Sequence, residues 1–230
     1  MERDGLLERY EALGDERDFL EAKPLYEAGL REAPDARLLN DYGYLLACHG
    51  RRELRRAVEL YERAIELDPG YDKPHYQLIS ARAGLGEAEL SVASYQRRLA
   101  AAPAEPREYR FLATAYLLAH EYVKALEVID TGLELVPDDA QLITARGEAR
   151  AALGDVEAAL ADWRRAVELD ADDIGALYSS AFLLEREGRL DEAADAWQSV
   201  IAWNHSRGFA LQTVWPIEEL ERLRGVLGSA

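Results

Sequence analysis

The chain has 230 residues, 49% hydrophobic and 31% charged, which is enough apolar content to close a core and too much for a disordered polypeptide. Its formal charge of −17 disfavours nucleic-acid phosphates and anionic lipid as general partners. A single cysteine, Cys48, excludes an internal disulfide and makes a reducing, cytoplasmic setting the simpler expectation.

Residues 1–18 are charged throughout and contain no apolar run of the secretory kind. The longest uncharged runs, Ile174 to Leu184 and Ala196 to Ser206, reach 11 residues, whereas a membrane helix needs roughly 20. No membrane span is expected. From residue 106 the sequence falls into 34-residue units, 106–139, 140–173 and 174–207, and the same pattern extends upstream to 2–35, 36–71 and 72–105. Each unit reads as two helices. A small residue in the second helix recurs as Ala22, Ala57, Ser91, Ala125, Ala159 and Ala193, and four residues later stand Tyr26, Tyr61, Tyr95, Ile129, Trp163 and Trp197. Small residues let paired helices approach, and the large residue one turn on fills the space beside them. Eight residues further come Pro34, Pro69, Pro103 and Pro137, then Ala171 and His205, where the helix must stop before the next unit.

In unit two, Gly50 precedes Ala57 by seven residues, where Gly154 precedes Ala159 by five, so two extra residues are expected in that interhelix turn. The last segment, GFALQTVWPIEELERLRGVLGSA, lacks a second helix. A capping helix is expected over about 216–227, with Pro216 at its start and Ile217, Leu220, Leu223 and Leu227 covering the open end of unit six.

This spacing of small, aromatic and proline positions resembles the tetratricopeptide repeat family over nearly the whole chain. Gly43, Ala113, Tyr116, Gly147 and Ala181 match first-helix positions of that pattern, while its opening tryptophan is replaced by Leu39, His75, Tyr109, Ile143 and Leu177. The resemblance implies an all-α, right-handed superhelical solenoid of about six helix-turn-helix repeats, a single domain over 1–230. It also implies a non-catalytic adaptor or scaffold that receives a segment of another protein on its concave face.

In such repeats the second, fifth and ninth positions of first helices usually face ligand. Here these are Arg37, Asn40, Tyr44; Lys73, Tyr76, Ser80; Arg107, Arg110, Thr114; Gln141, Thr144, Glu148; and Gly175, Tyr178, Phe182. Four of the fifteen are basic and one is acidic, against an acidic chain. An acidic or carboxylate-bearing peptide is therefore expected, with Arg37, Lys73, Arg107 and Arg110 pairing carboxylates and Tyr44, Tyr76, Tyr178 and Phe182 supplying apolar contact. A carboxylate clamp of the kind that holds chaperone C-termini would place Asn40, Tyr44, Gln77, Arg107 and Phe111 at its positions, where only the arginine is of a fitting type.

Other clusters carry less. Arg51, Arg52, Arg55 and Arg56 gather near an interhelix turn, where a solvated turn is the simpler reading than docking of an acidic partner. Cys48 and His49 are adjacent on a helix and diverge, so they form no nucleophile pair. His49, His75, His120 and His205 lie in separate repeats without metal-ligand spacing, and Asp170, Asp172 and Asp173 do not fit a calcium loop, so neither metal nor cofactor is expected. Trp163 and Trp197 belong to the core column. Trp203 and Trp215 either close the core under the cap or offer a contact to another chain, and self-assembly into a homodimer through this C-terminal segment is the alternative function.

Overall fold

A computed structural model of the chain describes residues 16–208 and 214–227. Among these residues there are twelve α-helices and no strand. They are α1 (Glu16–Glu32), α2 (Ala36–His49), α3 (Arg51–Leu67), α4 (Asp72–Gly84), α5 (Ala88–Ala101), α6 (Pro106–Leu118), α7 (Tyr122–Leu135), α8 (Ala140–Leu153), α9 (Val156–Leu169), α10 (Ile174–Arg186), α11 (Leu190–Ser206) and α12 (Val214–Leu227). The first helix expected for repeat one, in residues 2–15, lies outside the described residues. No helix is long and apolar enough to cross a membrane among those described.

The helices group into two compact units, one within Met1–Ala102 and Thr114–His120, the other within Pro103–Ala113 and Glu121–Ala230. Within each, consecutive helices form hairpins that pack on the next hairpin. Both expected columns are core: Ala22, Ala57, Ala125, Ala159 and Ala193 are fully buried, and so are Tyr26, Tyr61, Ile129 and Trp197. The first unit centres on Phe19, Tyr26, Tyr42, Leu45 and Tyr61, and the second on Ile143, Trp163, Leu184, Trp197 and Leu223. Where a helix pair crosses at closest approach, glycine replaces a side chain. A Cβ on Gly43 would stand 2.7 Å from the Tyr61 ring, and one on Gly147 would stand 2.5 Å from Nε1 of Trp163.

The proline positions end helices as expected, and at three junctions the residue before this position closes a four-residue turn. The carbonyls of Asp68, Val136 and Asp170 accept from the backbone N–H of Tyr71, Asp139 and Asp173, which stand at the next helix start. At the position where the family carries tryptophan, His75 and Tyr109 reach back to these junctions: His75 Nε2 lies 3.3 Å from the Pro69 carbonyl, and the Tyr109 hydroxyl donates to the Pro103 carbonyl at 2.9 Å.

Two local expectations are corrected. The extra residues of repeat two do not lengthen a turn, because Gly50 alone separates α2 from α3 at φ 135°, and α3 runs 17 residues where α9 runs 14. Its arginines therefore stand in the first two turns of a helix, where Arg56 pairs with Glu27 at 3.4 Å and Arg55 with Glu87 at 3.1 Å; the Arg51 and Arg52 side chains lie outside the described residues. In α12 Leu220 and Leu223 are buried as expected and Pro216 is buried with them, but Ile217, expected to cover the end, is 37% exposed. Leu227 has its side chain outside the described residues.

Candidate functional site

Each first-helix face is built by the helix starts. Asp35, Asp139 and Asp173 are N-caps whose carboxylates accept from the N–H of Leu38, Leu142 and Ala176 at 2.8, 3.1 and 3.1 Å. In the second unit these caps have a further role. Arg110, at the fifth position of α6, donates through Nε to Asp139 Oδ2 at 2.8 Å, and Thr144, at the fifth position of α8, donates its hydroxyl to Asp173. Both links span 29 residues, so each repeat is stapled to the cap of the next by a side chain that the sequence marks as ligand-facing.

In the first unit, Arg37 is exposed and reaches Asp41 at 3.7 Å along its own helix, a weak pair in water. Asn40 is fully buried and its amide donates to Asp41 at 3.1 Å, so it orients that carboxylate rather than facing solvent. Tyr44, Tyr76 and Gln77 are half-buried, while Lys73 and Ser80 are exposed. Lys73 has no ion pair among the described residues. In the second unit, Arg107 lies 3.9 Å from the buried carboxylate of Glu108, and Arg110 is held by Asp139 and also donates to Gln141 at 3.1 Å. The excess of positive charge counted along the sequence is thus largely matched at close range, and Lys73 with Arg37 retains the most freedom. Phe111, at a clamp position, is fully buried.

Tyr178 and Phe182 belong to an aromatic cluster. Trp215 of α12 stacks on Tyr178 at 6.1 Å and tilts against Phe182 at 5.4 Å, and the buried Trp197 meets all three edge-on. Trp197 also donates to Glu185 at 2.6 Å. Half of Phe182 and 42% of Trp215 remain exposed. Trp203 is instead tied down: its N–H donates to the Ala171 carbonyl at 2.6 Å, and Arg207 lies over its ring and pairs with Asp172.

Residues 7–72 and 144–206, more than half of the chain, match the family profile described as tetratricopeptide repeat. The chain belongs to the tetratricopeptide repeat family. Among solved structures, a thermophilic tetratricopeptide repeat protein of Thermus thermophilus is 22% identical and superposes with a TM-score of 0.63 over 82% of this chain and 98% of its own. A tetratricopeptide repeat protein of Parabacteroides merdae is 15% identical at a TM-score of 0.51, covering 96% of this chain and 93% of its own. The human protein O-mannosyl-transferase TMTC1 is 25% identical over 176 residues, 75% of this chain. The chain spans about a fifth of that relative's length.

Measured against the tetratricopeptide pattern, the second unit also carries a polar pin that sequence reading missed. Asp162, 5% exposed on α9, receives Arg146 through two bonds at 3.0 and 2.8 Å and Arg150 through one at 2.7 Å. The carboxylate contact raises the Arg146 guanidinium further above its ordinary value. The signal was present as Arg146 and Arg150 one turn apart, opposite Asp162 of the partner helix. Glu148, at the ninth position of α8, is different: burial of its carboxyl, then the Asp173 charge, push it up to about 7 even though the residue keeps an exposed edge. Among the described residues no group of three or more metal-ligating side chains converges, and His49 stacks on Phe19 at 3.5 Å.

Proposed function

We propose that this chain is a non-catalytic interaction module that binds a segment of a partner protein along its first-helix faces, and that the first unit takes an acidic or carboxylate-bearing segment. The observation that carries this reading is that Lys73 has no ion pair among the described residues and Arg37 only a weak one, on first helices that also carry the half-buried Tyr44 and Tyr76. Such a surface offers mobile cations for carboxylates and flat apolar area for neighbouring side chains. Of the other expected cations, Arg110 is held by Asp139 at 2.8 Å and Arg107 lies 3.9 Å from the buried Glu108 carboxylate. Membership of the tetratricopeptide repeat family supports protein binding as the activity.

The test is titration of a labelled short peptide of glutamate and leucine with a free C-terminus, followed by fluorescence anisotropy. Binding to the native chain that drops about tenfold for Lys73→Glu combined with Arg37→Glu supports the reading. Equal binding by native and reversed chains overturns it. Arg110 is unsuited to this test, because a carboxylate there would face Asp139, whose side chain is only 4% exposed.

A second reading, self-association through the C-terminal segment, draws on the exposure of Trp215, Ile217 and Val226 at 42, 37 and 47%. Light scattering that finds a dimer in the native chain and a monomer in Trp215→Ala favours it.

A further inference from the structure

The two units present first-helix faces of opposite character. In the second unit, Phe182 and Trp215 leave ring surface open above the buried Trp197, with Tyr178 completing a shallow aromatic floor. The hydroxyl of Thr144 donates to Asp173 at the start of α10, which fixes how far α8 and α10 are offset along their length. Glu148 stands one turn, about 6 Å, beyond Thr144 on α8, and the Asp173 charge at the start of α10 reaches it. Glu148 has no hydrogen bond or ion pair among the described residues. Burial of its carboxyl, then the Asp173 charge, raises its proton affinity. Cations of this unit are committed elsewhere: Arg110 to Asp139, Arg146 and Arg150 to Asp162, Arg222 to Glu185 and Glu219.

We infer that the first-helix face of the second unit docks a partner-protein segment carrying a lysine or arginine next to a bulky apolar side chain, the cation between Glu148 and the Tyr178 ring and the apolar group on Phe182 and Trp215. Charge complementarity selects this occupant. A cation gains from the lone carboxylate and from the negative ring faces together, and a chain charge of −17 speeds the approach of basic segments. The same charge opposes a second copy of this chain on the face, since two such molecules repel. The inference rests on the reading that first-helix faces bind polypeptide and assigns the second unit the charge preference opposite to the first.

The experiment uses the full chain and two labelled peptides that share phenylalanine and glycine positions, one with lysines and one with glutamates at the remaining places. The lysine peptide is expected to bind the native chain, to lose about tenfold in affinity with Glu148→Gln and with Phe182→Ala, and to be indifferent to Lys73→Glu. Glu148→Gln is isosteric, so it keeps the test valid should Phe182→Ala disturb the packing on Trp197. Lysine-peptide binding that ignores Glu148→Gln overturns the inference, as does a dimer that disappears in Trp215→Ala. If the glutamate peptide binds and is lost with Lys73→Glu while the lysine peptide fails to bind, the broader reading stands and this inference falls. If neither peptide binds, both fall.

Discussion

Gly147→Ala tests the closest packing in the second unit. The added methyl would meet Trp163 at 2.5 Å from Nε1, 2.7 Å from Cδ1 and 2.9 Å from Cε2, all inside van der Waals contact. Trp163 is 3% exposed and its N–H donates to the Thr144 carbonyl at 3.1 Å, so the ring has no free direction to move without giving up that bond. Overpacking of this kind costs about 1–3 kcal/mol, and loss of the hydrogen bond adds about 1 kcal/mol. Against this, alanine is favoured over glycine in a helix by about 1 kcal/mol. The net expectation is a destabilisation of about 1–3 kcal/mol, read as a fall in the urea midpoint followed by circular dichroism. Gly225→Ala in α12 is the matched control, with nothing within 4 Å of its Cβ; it gains about 0.5–1 kcal/mol from propensity alone. A Gly147→Ala chain as stable as the native one would refute the argument that glycine is there to seat the Trp163 ring.

Asp139→Ala removes the cap of α8 and the partner of Arg110 at once, and is expected to cost about 2–3 kcal/mol in chemical unfolding; Asp138→Ala next to it, an exposed pair with Arg165, should cost under about 0.5 kcal/mol. Asp162→Ala strips the shared carboxylate from Arg146 and Arg150, whose side chains are only 24 and 31% exposed, and should cost about 3 kcal/mol, with unfolding midpoints as the readout. Glu148 gives a pH signature. The folded carboxyl holds its proton up to about 7 while the unfolded one releases it near the ordinary value, so its contribution to stability is present in full at low pH and is lost as pH rises through that window. Burial is the larger cause of the upward shift and the Asp173 charge adds to it. Glu148→Gln should therefore gain stability relative to the native chain as pH rises from about 5 to about 8, and a difference that is flat with pH contradicts the assignment.

The repeat architecture was legible because burial enforces it. A small residue followed four places later by a large one can recur every 34 residues only if the same helix crossing recurs, and all six pairs are buried. The termination of helices at the prolines was equally readable, since proline at a helix end is a local constraint. The second-helix length after Gly50 was misread because a gap between anchors does not say whether added residues coil or extend a helix. Ile217 was misplaced in α12 because Pro216, Ile217, Leu220 and Leu223 support two overlapping apolar stripes, and Pro216 rather than Ile217 is the buried one. The face residues were located by position but not by partner. Arg110 and Thr144 find the capping aspartates 29 residues away, and Asn40 turns inward to Asp41, contacts that depend on how neighbouring hairpins dock. Charge counted along a chain overstates charge available on a surface wherever such pairs form.

The most direct test of the account is hydrogen–deuterium exchange of the full chain with and without the glutamate–leucine and lysine–phenylalanine peptides. Slower exchange in α2 and α4 with the former, and in α8 and α10 with the latter, is the expected result. Slowing confined to the second helices α3, α5, α9 and α11, or none at saturating peptide, would contradict the claim that this protein binds its partners on the first-helix faces.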